Sequence, residues 1–144
     1  MTMLRMRVGP VYMGRLPHGC DLLAELTNIC REHTIYHAQI SAIGALSQWR
    51  VGYYDQQAHE YEFLTGNDHR EIVSLLGNAS LYEGAPMVHA HLGLANAEGH
   101  VLGGHLAEGC KVFACEYIIQ KFFTEIPLQR VPDPETGLNL WGKP

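Results

Sequence analysis

The segment that decides the fold is residues 88–106, which read VHAHLGLANAEGHVLGGHL. Two apolar stretches flank a short polar one, a pattern typical of a β-hairpin. Asn96 suits the first position of a type I turn, and Gly99 suits the left-handed position that follows it. Together they predict a three-residue loop with a bulge, in which Asn96 pairs with His100.

The register of this hairpin gathers three histidines on one face of the sheet. Alternation along the first strand puts His89 and His91 on the same side. Counting back from the turn sets His91 opposite His105, and directly opposite residues share a face with their β-carbons about 4.5–5.5 Å apart. A two-residue loop would instead shift the register by one and turn His105 to the other face. The predicted histidine cluster therefore depends on the turn type.

A cluster of three neutral imidazoles is typical of a metal site. It suits zinc and, less selectively, nickel, copper or iron, so we expect one divalent transition metal, with zinc the best fit. A fourth coordination position would be left for water, a substrate or another side chain. Gly103 and Gly104 beside His105 carry no side chains, which lets backbone or ligand approach closely. The competing interpretation is that the histidines only pack or form hydrogen bonds within the sheet.

Three further polar residues are candidates for the same site. Glu116 lies on a predicted strand face, where a carboxylate is costly unless it ligates a metal, orients a histidine or acts as a general base. The alternative is that this face meets solvent or a second subunit. Arg15 is a candidate for binding an anionic ligand, or else forms a surface salt bridge. Asn78 is a candidate ligand-binding residue, or else a turn residue after Gly77.

The remaining pattern predicts a compact α+β domain, in which one main helix packs on a mostly antiparallel sheet. Apolar residues at helical spacing predict the helix from about Asp21 to about His33. We interpret residues 1–144 as a single domain, with its core at about 5–125 and an irregular C-terminal tail at 126–144. Strands are predicted at residues 5–16 (an edge strand, because it contains Pro10), 37–46, 49–54, 59–64, 71–76, 87–95, 100–106 and 111–123.

Composition places the chain among soluble globular proteins. It has 144 residues, of which 47% are hydrophobic and 17% charged, and a formal net charge of −5. Nucleic-acid binding usually needs a basic face, so the bulk charge does not favour DNA. No stretch approaches the roughly 20 apolar residues of a membrane helix, and the start lacks the apolar core of a signal peptide. We therefore expect a cytoplasmic protein without a membrane partner.

Several motifs, taken together, resemble the PPC (plant and prokaryote conserved) domain in its stand-alone prokaryotic form. This resemblance implies an α+β domain assembled as a homotrimer, with a metal site at His89, His91 and His105. It also implies a link to DNA, because plant members carry AT-hooks before the domain; this sequence contains no Arg-Gly-Arg-Pro hook. The motifs that carry the resemblance are HAHL at 89–92, Gly99, VLGGHL at 101–106, GCDL at 19–22, ISAIGA at 40–45, SLLGN at 74–78 and TGL at 136–138.

Three classes of function are compatible with these patterns. The first is a trimeric metal-binding protein that binds or converts a small ligand, with Glu116 as general base and Arg15 as anion anchor if metal-bound water is the nucleophile. The second is a DNA-binding or regulatory protein, which predicts salt-sensitive binding to duplex DNA. The third is a structural association module in which the histidines only pack. The histidine pattern favours the first class without identifying a reaction.

Overall fold

One helix and nine strands make up residues 3–142, the part of the chain that this computed structural model describes. The bounds are β1 Arg7–Arg15, α1 Leu22–Glu32, β2 Ala38–Asp55, β3 Glu60–Gly66, β4 Arg70–Tyr82, β5 Ala85–Ala95, β6 Val101–Leu106, β7 Lys111–Phe123, β8 Arg130–Pro132 and β9 Asn139–Trp141. Seven strands form one antiparallel sheet in the order β1-β7-β2-β4-β5-β6, with β3 beside β2. Strand β6 also pairs with β2, which closes β2, β4, β5 and β6 into a circuit. The predicted architecture, a mostly antiparallel sheet with one main helix, is confirmed.

Helix α1 packs against β5 and closes the core on one side of the sheet. The Asp21 carboxylate accepts a hydrogen bond from the backbone N–H of Ala24 at 2.9 Å, which caps the helix at its start. Leu22, Leu26 and Cys30 recur every four residues and are fully buried. The predicted helix is thus confirmed to within one residue at each end. We call the opposite side of the sheet, away from α1, the outer face. Among residues 3–142, no helix has the length and apolar character that crossing a bilayer requires.

Strand β2 is longer than predicted. Residues 37–46 and 49–54, predicted as two strands, lie almost entirely within it. Gly44 has a φ of +146°, which bends the strand without ending it. A Cβ at Gly44 would lie 2.1 Å from the carbonyl oxygen of Ala114, so only glycine lets β7 approach this closely. The predicted interruption of the strand between residues 46 and 49 is wrong.

Strand β4 also continues past its predicted end at Gly77 and Asn78. The turn interpretation of Asn78 is wrong, because this residue pairs with Gln39 of β2 on one side and His89 of β5 on the other. A Cβ at Gly77 would lie 2.6 Å from the Cβ of Ala90. Glycine here therefore allows a close approach of two strands and does not end one.

Residues 128–142, which we call the C-terminal segment, fold back onto β4. The segment lies in the predicted irregular tail, of which residues 143–144 fall outside the described part, and it contains the β8–β9 hairpin. The backbone N–H of Leu128 donates to Nε2 of the buried His37 at 2.9 Å, and the N–H of Leu81 donates to the carbonyl oxygen of Leu128 at 3.1 Å. These bonds attach the segment to the end of β4 at the outer face.

Candidate metal centre

The turn between β5 and β6 has the predicted form. The backbone N–H of Asn96 donates to the carbonyl oxygen of His100 at 3.0 Å, and that of Gly99 donates to the carbonyl oxygen of Asn96, also at 3.0 Å. Gly99 has the expected left-handed φ of +80°. His91 accordingly lies directly opposite His105. The register argued from the turn is confirmed.

Three imidazoles converge on the outer face. One ring nitrogen from each of His89, His91 and His105 lies within 4.8 Å of the other two. Ala90 and Leu92, which alternate with them on β5, are buried in the core, so the histidines point away from it. Tetrahedral ligands held about 2.1 Å from a zinc ion lie about 3.4 Å apart. The three nitrogens are grouped closely enough to form one donor set, and three imidazoles fit a metal.

Two of the histidines are held in the neutral form that a metal requires. Burial lowers the pKa of His89 to about 4, reinforced by the positive charge of Arg130 and by the other two imidazoles. Burial likewise lowers the pKa of His105, with His91 and Arg130 adding to the effect. Nδ1 of His105 is buried and has no hydrogen-bond partner within residues 3–142. A bound metal is one way to satisfy such an atom.

The C-terminal segment places a buried arginine beside this cluster. Arg130 is only 8% exposed, and its Nη2 lies 3.4 Å from Nδ1 of His89. The same Nη2 donates to Oδ1 of Asn78 at 2.9 Å, while Nε donates to Oγ of Ser80 at 3.0 Å and Nη1 to the carbonyl oxygen of Asn139 at 3.1 Å. The guanidinium is therefore fixed against β4, next to the first histidine.

A cavity of about 610 Å³ opens over the histidines. The ring centroid of Tyr61 on β3 lies 5.0 Å from that of His105 and 5.0 Å from that of Tyr54 on β2. The Tyr54 hydroxyl donates to the carbonyl oxygen of Thr136 at 2.6 Å. This bond holds the C-terminal segment against the two tyrosine rings. That segment lines the cavity with Arg130, Glu135, Thr136, Leu138, Asn139 and Leu140.

The other sequence candidates divide between two places. Asn78 lies opposite His89 and holds Arg130, so it is part of the site. Arg15 and Glu116 are exposed, lie opposite each other on β1 and β7, and line a different groove of about 690 Å³. Within one chain neither lines the histidine cavity. We call this second groove the outer groove; its large, exposed apolar side chains are Met13, Ile43, Val73, Leu76 and Ile118.

The sequence patterns do not point to Arg130, Ser80 or Tyr61 as site residues. The glycine at position 137 is a local sequence signal for the β8–β9 turn. In the structure Gly137 has a left-handed φ of +72°, and its backbone N–H donates to the carbonyl oxygen of Asp133 at 2.8 Å. This signal predicts the turn but not where the hairpin docks. Arg130 is 52 residues from Asn78 and 41 from His89, so no local pattern links them.

The sequence matches a known domain family over most of its length. The profile of the Plants and Prokaryotes Conserved (PCC) domain, the family called PPC above, matches residues 3–123. This match ends before the C-terminal segment. The part of the chain that provides Arg130 therefore lies outside the family profile.

Solved structures of similar proteins share the whole fold. A PPC protein of Pyrococcus horikoshii is 38% identical, with a TM-score of 0.93 over 99% of this chain and 98% of that one. A metal-containing protein of Archaeoglobus fulgidus is also 38% identical, with a TM-score of 0.94 over 99% and 100%. A proposed DNA-binding protein of Ralstonia eutropha is 28% identical, with a TM-score of 0.81 over 92% and 91%.

A curated relative is much longer than this chain. The bifunctional protein GlmU of a Synechococcus species is 34% identical over 128 residues, which is 88% of this chain but 19% of that protein. The chain thus spans about a fifth of the length of the curated relatives that it matches. The domain described here occurs in them as one part of a larger polypeptide.

Proposed function

The chain belongs to the Plants and Prokaryotes Conserved domain family, and we propose that it is a metal-binding member that binds or converts a small ligand. In this proposal His89, His91 and His105 hold one divalent transition metal, for which zinc suits the three imidazoles best. The observation that carries it is the set of three ring nitrogens within 4.8 Å of one another on one sheet face. The metal-containing Archaeoglobus neighbour supports it.

The surroundings of the cluster support ligand binding as well as metal binding. Three protein ligands leave a fourth coordination position open, as in catalytic zinc sites, where the metal supplies Lewis-acid polarisation of a ligand oxygen. Tyr61 packs on the His105 ring and limits its rotation. Arg130 keeps a positive charge at the cavity wall, beside His89. Residues of this chain thus form a defined ligand-binding cavity around the proposed metal.

The metal content of the full chain tests this function directly. We expect untagged protein, purified without chelators, to carry about one transition-metal ion per chain by mass spectrometry, because three imidazoles form a near-complete site. A tag-free preparation matters because a polyhistidine tag would bind metal itself. Metal-free protein that also takes up none on dialysis against zinc would contradict the proposal and favour the association or DNA-binding classes.

DNA binding is the alternative function, and its support is the name of the Ralstonia neighbour. A formal net charge of −5 opposes it, since affinity for duplex DNA comes chiefly from cations that neutralise phosphates. A gel-shift assay at low salt decides between the two. Retardation of duplex DNA that salt abolishes would support this alternative, and unshifted DNA would exclude it.

We also propose that the outer groove is covered by a second copy of the chain, in the homotrimer that the family resemblance implies. Met13, Ile43 and Leu76 are 73%, 60% and 61% exposed in the single chain. Large apolar side chains grouped in one groove are typical of an interface. Leu76 lies opposite His91, so the contact between copies would lie beside the metal site.

A charge in the outer groove should disrupt this assembly. We expect Ile43→Glu to convert the trimer into monomers in sedimentation equilibrium, because burying an unpaired carboxylate between copies is costly. Tyr53→Glu is the matched control, since Tyr53 is 68% exposed and lies outside the groove. A monomeric parent protein, or an Ile43→Glu variant that remains trimeric, would contradict the proposed interface.

A further inference from the structure

Within residues 3–142, Arg130 is a buried cation without a bonded counter-charge. Its bonded partners are the hydroxyl of Ser80, the side-chain amide of Asn78 and the carbonyl of Asn139, all of which are neutral. The structure contains one ion pair within residues 3–142, between Arg70 and Asp68, so no carboxylate neutralises Arg130 directly. Burying an unpaired charge is costly, and a divalent metal beside it would add two more positive charges.

The guanidinium retains one N–H for a ligand. Arginine has five N–H groups, and the three protein acceptors together with the contact to His89 account for four of them. The fifth is on Nη1. Arg130 also lines the histidine cavity. An oxyanion bound at the histidines would therefore lie within reach of a charged donor.

Part of the cavity wall suits an apolar group. Met87, Leu138 and Leu140 line it together with the rings of Tyr54 and Tyr61. The carboxylate in this lining is Glu135, which is exposed. A ligand with one negative head and an apolar body would match both the charged end and the apolar walls.

We propose that the cavity takes a small organic carboxylate, held with its carboxylate between the metal and Arg130 and its body against the apolar walls. This proposal rests on the proposed metal site and names the ligand class for it. A carboxylate has two oxygens, one for the open coordination position and one for the free N–H of Arg130. A phosphate would bring more acceptor oxygens than the open coordination position and the remaining N–H can satisfy.

The test compares a carboxylate with its neutral analogue on the full chain loaded with cobalt(II). Benzoate and benzamide have the same body and differ in charge, and the visible absorption of cobalt reports a ligand that enters its coordination sphere. We expect benzoate to bind at least about tenfold more tightly than benzamide, as a charge-assisted bond predicts. Inorganic phosphate is titrated as a third probe, and we expect it to bind more weakly than benzoate.

Variants of Arg130 separate its role from that of the metal. We expect Arg130→Gln to lose at least about tenfold in benzoate affinity while its benzamide affinity is unchanged. Arg130→Lys keeps the charge and should retain part of the preference, which provides a second variant if Arg130→Gln does not fold. Arg31→Gln is the control, because Arg31 is exposed on α1 and outside the cavity. Cobalt content and thermal unfolding are measured for every variant.

Each outcome decides a different point. Equal affinity for benzoate and benzamide in the parent, or an unchanged preference in Arg130→Gln, overturns the proposal. Phosphate that binds more tightly than benzoate overturns the carboxylate class. Cobalt uptake without benzoate binding overturns the ligand class and leaves the metal site intact. A chain that takes up no cobalt overturns the metal site, and with it the ligand proposal.

Discussion

Replacing His105 with alanine should reduce the metal content of the chain from about one ion to near zero, since only two of three protein ligands would remain. His105 is the proposed ligand from β6, whereas His89 and His91 both come from β5. The variant therefore removes the contribution of one strand while leaving the other intact. Metal content by mass spectrometry after dialysis against zinc gives the result.

His100→Ala is the matched control for this experiment. His100 lies in the same hairpin, is exposed, and is outside the cluster of three ring nitrogens. It should keep about one ion per chain, and zinc should raise its melting temperature as it does for the parent, because a ligand that binds the folded state stabilises it. If His105→Ala retained metal and zinc-dependent stabilisation, the three-histidine site would be wrong.

Gly103→Ala should destabilise the fold by about 3 kcal/mol, at the upper end of the usual range for overpacking. A Cβ at Gly103 would lie 2.2 Å from the carbonyl oxygen of Leu92, so the backbone of β5 or β6 would have to move. Urea unfolding measures the loss. The close approach of backbone predicted at Gly103 is thus a property of the β5–β6 pair.

Gly93→Ala tests the same pair of strands without the clash. Gly93 lies directly opposite Gly103, yet its added Cβ would be 3.4 Å from the nearest atom, on Val73, which is ordinary contact. We expect this variant to unfold at nearly the parent's urea concentration. Equally small losses for the two variants would show that the clash at Gly103 relaxes at little cost.

The histidine cluster could be predicted because its determinants are local. Asn96 and Gly99 specify the turn, and the turn specifies which residues of β5 and β6 are paired. Alternation then places His89 and His91 on the same side of the sheet, since strand residues two apart share a face. The helix was predictable for a similar reason, because its cap at Asp21 and its apolar row are both read within a few residues.

The errors arise where one local signal has two physical causes. Glycine favours turns, but it also permits two strands to approach closely, and the sequence does not distinguish these. Gly44 and Gly77 lie within continuous strands. The carbonyl oxygen of Ala114 lies too close to Gly44 for a side chain there, and the β-carbon of Ala90 lies too close to Gly77. Arg130 was not predictable at all. Its partners on the seven-stranded sheet lie more than 40 residues away in the sequence, and the segment that carries it is positioned by bonds to His37 and Leu81.

The β5–β6 turn makes the site sensitive to the length of an exposed loop. A one-codon insertion or deletion at residues 97–99 that is carried into the strand pairing would slide β6 by one position past β5. Either Gly104 or Leu106 would then occupy the place opposite His91, and the His105 imidazole would turn toward the core. Most surface loops tolerate changes in length. Here a change of a single residue would remove a proposed metal ligand although every strand residue stayed the same. We therefore expect the residue types of this loop to vary among related chains, but not whether its length is odd or even.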